Sequence, residues 1–191
     1  PRAVTGASSF SGLEVAGKVA IALRQSFSEP AALVRLDLAK GAITKLSDFN
    51  GGALASLAMG KVESVTYKGA RGDPIQMWVI YPPGFDPAKK YPVYMLLHGG
   101  PHNGIQDALT YRWNAHVLAT WGYIVTWHNF HGSSGFGQAF ADSINPDRIT
   151  LPYEDTIKAA EWLAAQPYVD ADHMVAGGGS YGGFLATTLL G

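Results

Sequence analysis

The sequence predicts an α/β fold with a mostly parallel sheet, entered through a short run of antiparallel strands. Two observations carry this. Before about residue 60, apolar and polar residues alternate in twos, and after Tyr91 continuous apolar strands alternate with helical periodicity. The runs "KVAIALRQ" (18–25), "AALVRLDL" (31–38) and "GAITKLSD" (41–48) read as antiparallel strands, with Ala39-Lys40-Gly41 as a hairpin turn. Two or three small strands cannot close a core, so this part reads as the end of a larger β array.

"NGGALASLAMG" (50–60) reads as a linker or short helix. "VESVTYK" and "IQMWVIYP", joined by "GARGDP", form a second hairpin. "VYMLLH" (93–98) is continuously apolar, as a strand buried on both faces requires. Helical periodicity is expected through "ALTYRWNAHVLATWG" (108–122), stopped at Gly122. "YIVTWHN" is the next strand, and "YEDTIKAAEWLAAQ" is a helix between Pro152 and Pro167. "HMVAG" (173–177) is a strand leading into glycines, and "YGGFLATTLL" is helical. No repeat recurs at a fixed period.

Composition narrows the function classes. Of 191 residues, 47% are apolar and 15% charged, which suits a globular core rather than a disordered tail. The 14 basic and 15 acidic side chains leave a net charge of -1, which argues against nucleic acid or an anionic membrane as partner. The absence of cysteine excludes disulfides and thiolate metal sites. No apolar run reaches the roughly 18 residues of a membrane span. Pro1 is not a natural initiator, so both ends read as cut and the compartment stays open between cytoplasm and export.

Gly178-Gly179-Ser180-Tyr181-Gly182 fits the Gly-x-Ser-x-Gly pattern of a nucleophilic serine. Such an elbow needs a strand, a sharp turn and a helix, with small residues around the strained serine. At the helix N-terminus, the dipole and free N–H groups favour developing negative charge. Gly177 to Gly182 also spells G-x-G-x-x-G, the dinucleotide-binding pattern, whose confirming acid would fall beyond Gly191. A plain tight turn is the third reading.

"LLHGGPH" (96–102) shifts the balance to a hydrolase. In α/β hydrolases the loop after an early strand supplies one oxyanion donor, and the residue after the nucleophile supplies the other. Here these are the amides of Gly100 and Tyr181, with His98, Gly99, Gly178 and Gly182 supporting loop and elbow. One such donor is typically worth about 3 kcal/mol in the transition state.

At these residues the chain resembles the prolyl oligopeptidase-like serine peptidases, on the dipeptidyl-peptidase and acylaminoacyl-peptidase branch. The resemblance runs through "YPPGFDPAKKYPVYMLLHGGPH", "YRWNAHVLATWGYIV", "NFHGSSGFGQAFADSI", "LPYEDTIKAAEWL" and "YVDADHMVAGGGSYGGFLA", close over about residues 60–191. It implies the end of a β-propeller over residues 1–57 and the N-terminal part of an α/β-hydrolase domain over 58–191. It also implies peptide substrates, no cofactor or metal, and allows a homo-oligomer of the parent. His131 departs from the Arg that many relatives carry in Asn-x-Arg-Gly-Ser, which bears on loop contacts near the substrate. "DRITLPYED" replaces a frequent Trp-Gly pair and bears on packing.

In α/β hydrolases the triad runs Ser, then Asp or Glu, then His. No histidine or acid occurs between Tyr181 and Gly191, and all six histidines lie upstream of Ser180. His98, His116 and His173 are expected in structural or surface roles. His98, His102, His128 and His131 could suggest a metal, but Gly-Gly-Pro between the first two prevents a helix from aligning their rings. Glu154 and Asp155 are expected to start a helix, where carboxylates suit the dipole. The chain is therefore expected to be a fragment with Ser180 and the oxyanion donors but without the base. It is expected to be inactive alone, and poorly soluble through an apolar edge at Met174–Gly177. An esterase, a dinucleotide-binding oxidoreductase and a non-catalytic binding protein remain the competing readings.

Overall fold

A computed structural model describes Thr5 and residues 8–191, which divide into two units. The first contains the chain up to Ala58 together with Gln106–Asn114, and the second contains Met59–Ile105 and Ala115–Gly191.

In the first unit, β1 (Ser9–Ala16), β2 (Val19–Ser26), β3 (Glu29–Asp37) and β4 (Ala42–Lys45) form an antiparallel four-stranded sheet in sequence order. Period-two alternation puts Ala20, Ala22, Val34 and Leu36 on one buried face. β1 has no clean alternation to announce it, because Gly12 takes φ 58° and the register slips between Ser11 and Glu14. A one-turn helix, α1 (Gly51–Ala55), follows.

In the second unit, β5 (Val62–Lys68), β6 (Pro74–Ile80), β7 (Tyr91–Leu97), β8 (Ile124–His128) and β9 (Val169–Gly178) form a sheet in the order β5-β6-β8-β7-β9. β5 and β6 are a hairpin, β6 pairs antiparallel with β8, and β7 pairs parallel with β8 and β9. β9 forms one edge, with Val175 exposed. The helices are α2 (Ala115–Thr120), α3 (Gln138–Asp142), α4 (Thr150–Ala164) and α5 (Tyr181–Thr188). One face of the sheet packs Met77, Val79, Val93, Met95 and Ile124 against Ala159 and Leu163 of α4. Leu97, Phe130 and Leu185 of α5 form a smaller core, with Tyr181, Ala186 and Leu189 packed against it.

Two expected boundaries move. The helix expected over 108–122 is confined to Ala115–Thr120. Residues 106–114 instead belong with the first unit, where the Phe27 amide donates to Asp107 Oδ1 at 2.8 Å. α4 begins at Thr150, not after Pro152. Proline is tolerated in a first turn, where its missing N–H has no helical partner. The Asp147 carboxylate accepts the Ile149 amide at 2.8 Å and the Thr150 amide at 3.2 Å.

Candidate active site

The chain passes from β7 to β8 on one side, then returns across β7 to β9 on the other. In open α/β sheets a ligand crevice lies outside the carboxyl ends of the strands where the order reverses in this way. Leu97 and Gly178, the last residues of β7 and β9, are register partners. The His98–Pro101 turn and the Gly178–Gly182 turn therefore emerge side by side.

Ser180 is exposed, caps the N-terminus of α5, and has φ 56° and ψ −124°. A non-glycine residue held there costs on the order of 1–3 kcal/mol, which the packing around it must supply. The packing is backbone against backbone. A Cβ on Gly178 would overlap the Leu97 carbonyl oxygen and stand 2.9 Å from Gly182 C. A Cβ on Gly182 would overlap the same oxygen and stand 3.0 Å from the His98 carbonyl oxygen. Across the cleft, a Cβ on Gly99 would stand 3.3 Å from Ser180 Cβ and 3.9 Å from its Oγ. Gly100 has φ 128° and precedes Pro101 by a cis peptide bond. Among the described residues, the amides of Gly100 and Tyr181 donate no hydrogen bond within the chain. The Tyr181 hydroxyl donates to the Arg148 carbonyl, and burial pushes its pKa up to about 12.

His98 is buried and stacked on Phe130, with ring centroids 4.1 Å apart. Its Nδ1 lies 2.9 Å from Gly99 O and its Nε2 2.9 Å from Ser133 Oγ. Burial pushes its pKa down to about 4, against the opposing pull of the Gly99 carbonyl, so the ring is neutral and holds one proton. That proton is donated either to Gly99 O or to Ser133, whose hydroxyl in the second case donates on to Phe130 O at 2.7 Å. His102 Nδ1 donates to Gly132 O at 2.9 Å. His116 is buried in α2, and burial lowers its pKa. His128 is fully buried with Nε2 3.0 Å from Thr156 Oγ1, and burial pushes it down to about 4. His173 lies within β9, exposed, with Nδ1 2.8 Å from Asp170 Oδ2. Among the described residues, the hydrogen bonds of His98, His102, His128, His131 and His173 all go to groups other than Ser180.

The reading of Asp155 as a helix-start carboxylate is overturned. It lies beyond the first turn of α4, on the buried stripe formed by Leu151, Pro152, Thr156, Ala159 and Leu163, and is fully buried. Its Oδ1 accepts the Ala70 amide at 2.8 Å. Its Oδ2 accepts the His131 amide at 2.7 Å and His131 Nδ1 at 2.8 Å. His131 Nε2 reaches Asp73 Oδ2 at 3.2 Å. Burial works against charging the His131 ring, but the two carboxylates outweigh it and hold its pKa above the usual histidine value. The available sequence signal was a carboxylate on the apolar face of its own helix, since an acid there needs buried partners.

Comparison with known proteins adds the context. Residues 109–191 match the prolyl oligopeptidase family. The chain is 36% identical over 190 residues to dipeptidyl-peptidase 5 of Porphyromonas endodontalis, covering all of this chain and 28% of that protein. It is 40% identical over 155 residues to dipeptidyl-peptidase 5 of Aspergillus fumigatus, covering 80% of this chain and 21% of that one. The chain thus spans about a quarter of the length of such relatives. In structure it is similar to the acylaminoacyl peptidase of Pyrococcus horikoshii, with a TM-score of 0.80 at 24% identity over 95% of this chain and 29% of that one. The α/β-hydrolase sheet preceded by propeller strands is the architecture of these neighbours.

Proposed function

We propose that this chain, which belongs to the prolyl oligopeptidase family, carries the nucleophile and oxyanion site of a serine peptidase. The observation that carries the reading is Ser180 itself: an exposed residue held at φ 56° beside the Gly99 backbone, with the neighbouring Tyr181 amide and the Gly100 amide donating no hydrogen bond among the described residues. Ser180 Oγ attacks the carbonyl carbon of a peptide, and a histidine base takes the hydroxyl proton. The carbonyl oxygen becomes an anion that accepts the Gly100 and Tyr181 amides. These are fixed before reaction and are worth about 3 kcal/mol each. The C–N bond then breaks, the amine leaves with the proton from the base, and water hydrolyses the Ser180 ester.

The base and its orienting acid come from residues outside these 191, in keeping with the length of the relatives. The names of those relatives favour release of dipeptides. Residues 1–57 are assigned to the end of a propeller, and 58–191 to the catalytic domain.

The test uses the product of the complete reading frame that carries these residues. A fluorophosphonate probe should label the tryptic peptide containing Ser180. Dipeptide–coumarin substrates should turn over, and Ser180→Ala should remove both signals. Labelling on another residue, or turnover unaffected by Ser180→Ala, would overturn the assignment.

A further inference from the structure

We propose that His131, latched between Asp155 and Asp73, is a positioning residue that holds the oxyanion turn against Ser180. The inference rests on the peptidase reading above. It starts from residues that the mechanism leaves unused: a fully buried carboxylate on α4, and a nearly buried histidine that faces two acids.

The geometry runs in one direction. Asp155 is anchored by the Ala70 amide at 2.8 Å, and it grips His131 twice, through the backbone amide at 2.7 Å and Nδ1 at 2.8 Å. The ring is also stacked on Phe140, with centroids 4.6 Å apart. The next two residues carry the contact to the turn. The Gly132 carbonyl accepts His102 Nδ1, and Ser133 Oγ lies 2.9 Å from His98 Nε2. His98 and His102 bracket Gly99, Gly100 and Pro101, so the loop beginning at His131 holds the turn at both ends. His131 makes no contact with Ser180 in this network, and its effect passes through Ser133 and His98.

Ionised carboxylates only accept hydrogen bonds, so satisfying both Asp155 and Asp73 requires protons on both ring nitrogens. The charged ring therefore closes the latch, and losing a proton as pH rises releases one side. The groups facing it are Asp155 from α4 and Asp73 and Arg71 from the turn before β6. Tyr67 and His128 lie close enough to Asp155 to act on it. Arg71, Asp73, Phe136, Phe140 and Ser143 line a cavity of about 470 Å³ beside His131, which leaves room for a longer side chain.

Two variants of the full-length protein, assayed for dipeptide release from pH 6 to 10, test the latch. His131→Gln retains a donor but loses the charge. Its kcat should fall about tenfold near neutral pH with KM unchanged, since misaligning one oxyanion donor forfeits part of the 100- to 1,000-fold that such a donor supplies. His131→Arg keeps a permanent charge with a fork of donors for two carboxylates. It should restore kcat and remove the alkaline decline that His131 imposes on the wild type. An active wild type whose kcat and pH profile survive His131→Gln overturns this inference alone. So does a His131→Arg enzyme that keeps the alkaline decline. A wild type with no turnover overturns the peptidase reading and this inference together.

Discussion

Replacing Gly182 by alanine sets helix propensity against backbone contact, and the structure predicts which wins. Gly182 is the second residue of α5, and in a helix alanine is ordinarily favoured over glycine by about 1 kcal/mol. Here the added Cβ would overlap the Leu97 carbonyl oxygen, stand 2.6 Å from the Leu97 carbonyl carbon and 3.0 Å from the His98 carbonyl oxygen. All three atoms are backbone, so no rotamer change relieves the clash, and β7 or α5 must move. Overpacking of this kind costs roughly 3 kcal/mol at the upper end of its usual range, which leaves a net loss of about 2 kcal/mol.

Gly183 is the internal control. Its Cβ would meet only Gly178, with the carbonyl oxygen at 3.1 Å, so Gly183→Ala should stay within about 1 kcal/mol of wild type. Urea unfolding followed by tryptophan fluorescence reads both. At a slope of about 2 kcal/mol per molar urea, Gly182→Ala should lower the midpoint by about 1 M, and Gly183→Ala by less than half of that. A Gly182→Ala midpoint at or above wild type, or equal losses in the two variants, would refute the packing argument.

Two other measurements follow from the same structure. Ser180→Gly and Ser180→Ala both remove the hydroxyl, but only glycine accepts φ 56° freely. Ser180→Gly should therefore be the more stable by on the order of 1 kcal/mol, and equal melting temperatures would show that the elbow is unstrained. Burial holds His98 and His128 at about 4 in the fold, against about 6.5 in the unfolded chain, so the unfolded state binds protons first as pH falls. Their contribution is complete above pH 6.5 and lost toward pH 4, on the order of 3 kcal/mol each. His131 has the opposite sign, because its raised pKa stabilises the fold below the unfolded value and ceases to as pH rises through the folded one. His128→Phe should flatten the acid dependence of the urea midpoint, and identical acid slopes in wild type and variant would exclude burial as its source.

What the sequence determined by itself was local in character. Gly178, Ser180 and Gly182 could be read as a strand-turn-helix element because the strand, the bend and the helix are contiguous. The small residues required at fixed offsets are visible as letters. The apolar run of β7 ending in His98-Gly99-Gly100-Pro101 was legible for the same reason. Tertiary structure decided the rest. Residues 106–114 carry a helical pattern, yet they follow the first unit, where Asp107 meets the amide of Phe27, 80 residues away. β1 hides behind a bulge at Gly12 and is recognisable through its pairing with β2. Asp155 looked like a helix-end charge, until folding brought it to Ala70, 85 residues distant, and to His131, 24 residues distant. A carboxylate's role depends on which donors surround it, and chain closure over such separations is set by the packing of whole elements rather than by the neighbours in sequence.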